Sequence, residues 1–270
     1  MGKLVHALPE GKPVLGLTSL AGEVYLLRWK ERDQVEVYDA VSYRLQRRLT
    51  VSNCRGFTDM TACEHNGYVY IADPVVQRVH RLGAQGSAIR WPVNDKPMGI
   101  SVNAAHNLLV ACPEARKIKE FGSRGKLLRE LTLPDDVIYP LHAIQLTSGQ
   151  LIVCHGRSVD KVHRVCKVSE DGRQVVQSHG GQRGSATDQY NVPGHLAVDE
   201  IEFVFVVDLC NRRVMLLSPT LGYIREVFCS DDLKWGPKRL CLDAERRRLY
   251  VADNELKDGY TAGRVVVFSV

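Results

Sequence analysis

Pro193-Gly194-His195-Leu196-Ala197-Val198-Asp199, followed by Phe203-Val204-Phe205-Val206-Val207-Asp208 and then Arg213-Val214, is one copy of a cassette that recurs six times along the chain. A proline opens a short apolar strand, a turn follows, a second apolar strand ends on a polar residue, and a basic residue opens a third strand. Working outward, Pro97-Met98-Gly99-Ile100, Pro140-Leu141-His142-Ala143-Ile144 and Pro237-Lys238-Arg239-Leu240 open three more copies. Their second strands are Leu108-Leu109-Val110, Leu151-Ile152-Val153 and Leu249-Tyr250-Val251. Phe57 to Cys63 with Tyr68-Val69-Tyr70-Ile71 forms an earlier copy, and Leu15 to Leu20 with Val24-Tyr25-Leu26-Leu27 a degenerate first one. Copies recur at roughly 40 to 55 residues, the period of a four-stranded propeller blade and too long for the shorter helical solenoids.

The expected fold is therefore all-β, a six-bladed propeller occupying residues 1–270 as one domain, with blades near 11–52, 53–93, 94–135, 136–180, 189–230 and 233–270 plus 3–8. Turn chemistry such as His65-Asn66-Gly67 and Glu170-Asp171-Gly172 separates the strands, and no stretch carries a helical period. The last copy stops after its third strand, Arg264 to Val270. Lys3-Leu4-Val5-His6-Ala7-Leu8 is expected to supply the fourth, closing the ring and removing an open sheet edge.

Composition fits one core-bearing domain: 270 residues, 44% hydrophobic, formal charge +5 and a pI near 8.7. No apolar run approaches the roughly 20 residues that a membrane-crossing helix needs. The eight cysteines are scattered without a Cys-x-x-Cys pair, as expected for small buried thiols in a reducing compartment, the cytoplasm or nucleus. Beginning at Met1-Gly2 and ending on a strand, the chain reads as a monomeric module of a larger protein.

Ser178-His179-Gly180-Gly181-Gln182-Arg183-Gly184 through Asn191-Val192-Pro193-Gly194-His195-Leu196 and on to Asn211-Arg212-Arg213-Val214 resembles the NHL repeat, named for Asn-His-Leu. The whole chain is similar to the six-bladed propellers at the carboxy terminus of tripartite-motif proteins. That resemblance implies a recognition domain for single-stranded or hairpin RNA, or for protein. RING, B-box and coiled-coil segments are absent from the sequence, so no ubiquitin-ligase activity follows from it.

Asp73, Asp208 and Asp253 end second strands where Arg78, Arg213 and Arg264 open third strands. A planar guanidinium can hold a carboxylate bidentately, so these pairs are expected to be structural. Ligands of propellers bind on the face made by the loops between blades and between second and third strands. On that face the sequence places Lys30, Arg32, Arg55, Arg90, Lys96, Arg116, Arg157, Arg212, Lys238 and Arg239. The interblade loops add Phe57, Trp91, Tyr139, Tyr190 and Trp235, with His195 nearby. Cations for phosphates interleaved with rings for unpaired bases make RNA the first ligand expected. The other reading of these rings is as wedges between blades, which leaves a protein or peptide as the second ligand class.

A third class is enzymatic. His142 and His195 occupy the same position of consecutive copies, two residues after proline, and Asp59 and Arg239 fall at or near it in others. Two imidazoles and a carboxylate could hold a zinc ion, as in a metal-dependent lyase or hydrolase with a channel site. A third histidine is not evident, and neither a phosphate-binding glycine loop nor a nucleophile motif is present. No cofactor and no catalytic residue is expected, and the histidines read first as hydrogen-bonded channel groups.

Overall fold

The computed structural model describes residues 3–29, 34–83, 86, 88–255 and 261–270; Lys30 and Arg32 lie outside them. The described residues form six four-stranded antiparallel sheets. Blade 1 comprises Val14–Leu20, Glu23–Arg28, Gln34–Asp39 and Leu45–Thr50, and blade 2 Asp59–Cys63, Tyr68–Asp73, Arg78–Gly83 and Ala88–Pro92. Blade 3 comprises Ile100–Val102, Leu108–Cys112, Lys117–Phe121 and Leu127–Thr132, and blade 4 Pro140–Gln145, Leu151–His155, Val162–Val168 and Val175–Gln182. Blade 5 is built from Pro193–Val198, Val204–Asp208, Arg213–Leu217 and Tyr223–Phe228. Each first strand touches the first strand of the next blade, blade 6 touching blade 1, so the six inner strands ring a central channel.

Blade 6 contains Pro237–Asp243, Arg248–Asn254 and Gly263–Ser269, and its fourth strand is Leu4–Ala7. Leu4 pairs with Phe268, His6 with Val267 and Ala7 with Val266. The Leu8 amide then donates to the Val265 carbonyl at 2.8 Å, and the Leu8 side chain is buried. A second clasp was not foreseen. The Asn254 side chain accepts from the Val14 amide (2.9 Å) and donates to the Val14 carbonyl (2.7 Å), bonding blade 6 to blade 1 as a strand would.

A strand of period two must bury both faces when blades stack on either side, which explains why the middle strands are almost wholly apolar while outer strands alternate. Leu108–Cys112 and Val204–Asp208 are buried throughout, whereas Leu45–Thr50 and Leu127–Thr132 bury mainly one leucine each. Among the described residues the core divides into six apolar layers, each between two adjacent blades.

The aspartates at strand ends are structural, but not through bidentate pairs. Asp73, Asp208 and Asp253 accept the amides of Arg55 (2.8 Å), Asn191 (2.7 Å) and Lys234 (2.9 Å), so each anchors the loop entering its own blade. Arg213 offers Asp208 only Nε, at 2.8 Å. Its other nitrogens reach Glu226 and the carbonyls of Ala186 and Gln189. Arg264 likewise meets Asp253 through Nε at 2.9 Å. In blade 2 the expected partner changes altogether: His80, not Arg78, lies against Asp73, with Nε2 3.5 Å from Oδ2.

Candidate functional site

Antiparallel topology puts the interblade and second-to-third-strand loops on one face, here the top, and the hairpin turns after first and third strands on the other. The residues expected on the top face divide into two groups. Arg55, Lys96, Arg116, Tyr139, Arg157, Arg212, Trp235 and Lys238 are exposed or half-buried there. Phe57, Trp91 and Tyr190 are not surface rings but buried wedges between blades, and His195 and Arg239 turn inward to the channel. Arg90 sits within the outer strand of blade 2, opposite His80, rather than in a top loop.

Trp91 and Tyr190 enter where the neighbouring backbone has no side chain, at Gly125 in the third-to-fourth-strand turn of blade 3 and at Gly180 in the outer strand of blade 4. A Cβ on Gly125 would lie 2.4 Å from Trp91 Cδ2, and one on Gly180 would lie 2.7 Å from Tyr190 Cδ2. Both glycines have left-handed φ, +85° and +92°, so the turn and the wedge require glycine together. The Tyr190 hydroxyl is also bonded to Nδ1 of His179, at 2.8 Å. Phosphate-seeking cations are held too: Lys96 by Glu114 (2.8 Å), Arg116 by Asp135 (2.7 Å) and Arg157 by Asp160 (3.3 Å), and Arg157 also lies 4.3 Å above the Tyr139 ring. Arg212 donates to the carbonyls of Trp235 and Lys234. Burial, together with Arg239, holds the Lys238 ammonium down to about 8.

The top face also exposes apolar side chains among these cations. Val159 is 76% and Val75 63% exposed in second-to-third-strand loops, and Trp29, just after the second strand of blade 1, is 38% exposed. Trp29, Phe57 and Val75, with Leu15, Arg55 and Pro74, border a cavity of about 340 Å³ between blades 1 and 2.

Beneath this face, four inner strands bring Asp59, His142, His195 and Arg239 to the upper end of the channel, all buried. The Ile100 amide donates to Asp59 Oδ2 at 2.9 Å. Arg239 Nε approaches Oδ1 at 2.9 Å off the N–H axis, so that attraction is coulombic rather than a directed hydrogen bond. The two imidazole rings are 4.1 Å apart, with Nε2 of His195 and of His142 3.5 and 3.7 Å from the carboxylate. Arg239, His195 and His142 hold Asp59 well below the usual carboxylate range despite its burial.

Asp59, His142 and His195 meet the spacing of metal ligands, but the imidazole protons are in the wrong places. His142 Nε2 faces the Ile100 carbonyl at 3.2 Å and must donate to it. His195 Nδ1 accepts the Leu240 amide at 3.3 Å, which leaves the proton of the neutral ring on Nε2. Both nitrogens that face Asp59 therefore carry hydrogen, and a metal needs their lone pairs. Arg239 already supplies the positive charge. The cluster is a charge-compensated plug, and below it the channel widens into a cavity of about 480 Å³ open towards the hairpin-turn face.

The plug histidines, together with buried His155 in the second strand of blade 4, make stability acid-sensitive. Burial, then the neighbouring His195, holds His142 down to about 3; burial, then Arg164, holds His155 down to about 4; burial also lowers His195. Unfolded histidine titrates near ~6.5, so from there towards pH 4 the unfolded chain takes up protons that the folded chain refuses. Stability present above pH ~6.5 is lost as pH falls, at roughly 2 kcal/mol each for His142 and His155 between pH 7 and 5. The urea midpoint should fall steadily across that interval; a flat profile contradicts neutral buried histidines.

No family model and no curated protein matches the chain. Solved structures match it over almost its whole length. Virginiamycin B lyase from Staphylococcus aureus is 12% identical, with 100% of this chain and 89% of the lyase covered at TM-score 0.65. A luciferin-regenerating enzyme is 12% identical over 97% and 93% of the two chains, at TM-score 0.68. The Cps50 (Swd1) β-propeller domain of Myceliophteria thermophila is 12% identical over 100% of both, at TM-score 0.65. At such identities the likeness is one of fold: the chain is a six-bladed β-propeller, an architecture shared here by enzymes and by a propeller domain.

Proposed function

We propose that this chain is an NHL-type propeller that acts as a non-catalytic recognition module, docking a protein or peptide segment across its top face. The observation that carries this reading is the character of that face. Val75 and Val159 project from second-to-third-strand loops and Trp29 from the end of a second strand, with Tyr139 and Trp235 partly open on the same face, while Lys96, Arg116 and Arg157 are matched by Glu114, Asp135 and Asp160. Apolar anchors ringed by compensated charge fit a peptide better than a polyphosphate. RNA, the first ligand expected from the sequence, loses the Phe57, Trp91 and Tyr190 rings as stacking platforms. An enzymatic reading centred on the channel draws on the plug, whose nitrogens are protonated towards the carboxylate. A reducing compartment such as the cytoplasm suits eight free cysteines.

Selection from a displayed peptide library tests the proposal. An enriched peptide should bind Val75→Asp, Val159→Asp and Trp235→Ala at least about tenfold more weakly than the parent protein, since an interface anchor is worth roughly 1.4 kcal/mol or more. Arg247→Ala, on the opposite face, should change nothing. A single-stranded RNA pool is titrated in parallel. Binding of RNA near micromolar concentration with a steep salt slope, and no enriched peptide, would overturn the reading.

A further inference from the structure

Blade 2 shares the aspartate-to-amide anchor of blade 5 but surrounds that aspartate with different side chains, and the difference has the composition of a metal site. In blade 5 the positions facing the anchoring aspartate are Tyr190 and Met215, both fully buried. The register of Asp208 against Arg213, and of Asp73 against Arg78, makes Cys54 and His80 their counterparts in blade 2. A large apolar pair is thus replaced by a thiol and an imidazole around a carboxylate. Cys54 Sγ lies 3.1 Å from Asp73 Oδ2, and His80 Nε2 lies 3.5 Å from the same oxygen. Cys54 is 8% exposed and the other two are wholly buried. Neither ring nitrogen of His80 has a hydrogen-bond partner among the described residues, which is costly for a buried polar side chain.

We propose that Cys54, Asp73 and His80 form a binding site for a zinc-class divalent transition ion. Their ligand atoms all lie within 4.8 Å of one another. A tetrahedral ion with bonds of about 2.0–2.3 Å holds its ligands roughly 3.3–3.7 Å apart, so small side-chain shifts bring these three side chains into place as three of its four ligands. Thiolate and imidazole select zinc, cobalt or copper over magnesium and calcium. Unlike the channel plug, no backbone group claims the lone pairs of His80. In the metal-free protein burial and the Asp73 carboxylate push the Cys54 thiol up. The ion reverses that preference: the thiol proton leaves to solvent and the sulfur lone pair goes to the metal. The ion fixes the Cys54–Arg55–Gly56 loop to blade 2, the service that Arg213 performs in blade 5.

The full chain, stripped with a chelator, is titrated with cobalt(II) and then zinc(II). A thiolate-to-cobalt absorption band in the near ultraviolet should saturate at one ion per chain and be displaced by zinc. Zinc should protect Cys54, alone among the eight cysteines, from alkylation under mildly denaturing conditions. Cys54→Ser should abolish the band and His80→Gln should weaken binding at least tenfold. Should Cys54→Ser fail to fold, alkylation mapping of the parent protein decides. The proposal is overturned by the absence of a thiolate band, by protection of a different cysteine, or by an ion that survives Cys54→Ser and leaves with His142→Ala.

Discussion

Removing residues 1–10 should lower the unfolding free energy by about 3–5 kcal/mol and the melting temperature by roughly 10 °C. The loss has identifiable parts. The Leu8 side chain belongs to the apolar layer between blades 6 and 1, beside Val14, Val265 and Val267. Its truncation alone falls in the range of a buried leucine. The Leu4–Ala7 strand contributes little burial, since its own side chains are exposed. Its contribution is the row of hydrogen bonds along Gly263–Ser269, whose edge would otherwise be open for pairing with another chain. The truncated protein should therefore also self-associate, visible by light scattering. Leu8→Ala should reproduce only the side-chain share of the stability loss, without the association. A truncated protein that melts with the full chain and stays monomeric contradicts a ring closed by this strand, since the Asn254 clasp would then suffice.

Asp59→Asn should cost about 3–5 kcal/mol, because it leaves the buried Arg239 guanidinium without a counter-charge. The sharper expectation concerns the pair. If the plug is structural, Asp59→Asn combined with Arg239→Met should cost less than the sum of the single changes by roughly 1–3 kcal/mol, as residues in one ion pair couple. Additive effects contradict the plug. Preserved stability with bound metal lost would instead make Asp59 a ligand.

The fold was legible because the repeat period and the alternation of apolar residues are properties of single strands. Closure was legible because the last copy visibly lacks a strand. His142 and His195 stood out as equivalent positions, and Asp59 and Arg239 were found by the same alignment. Placing Arg239 and His195 on the top face failed because the residue two after proline points to the channel in blades 4, 5 and 6, as His142, His195 and Arg239. Phe57, Trp91 and Tyr190 were each legible as wedges between blades, which their burial supports, but counting them among the binding residues failed because burial depends on what the neighbouring blade lacks. For Trp91 and Tyr190 the signal was a glycine, Gly125 and Gly180. Cys54 and His80 were missed although aligned copies hold Tyr190 and Met215 there: each looks like an ordinary core substitution until strand register brings both to Asp73.

Recognition by the top face is the central claim, and hydrogen exchange of the protein with and without a selected peptide tests it most directly. Protection should concentrate in the loops around Val75, Val159 and Trp235, and leave the hairpin turns near Arg247 unchanged. Protection of the turns after first and third strands, or of the inner strands around the 480 Å³ channel cavity, would place the ligand on the other side of the plug and contradict the account.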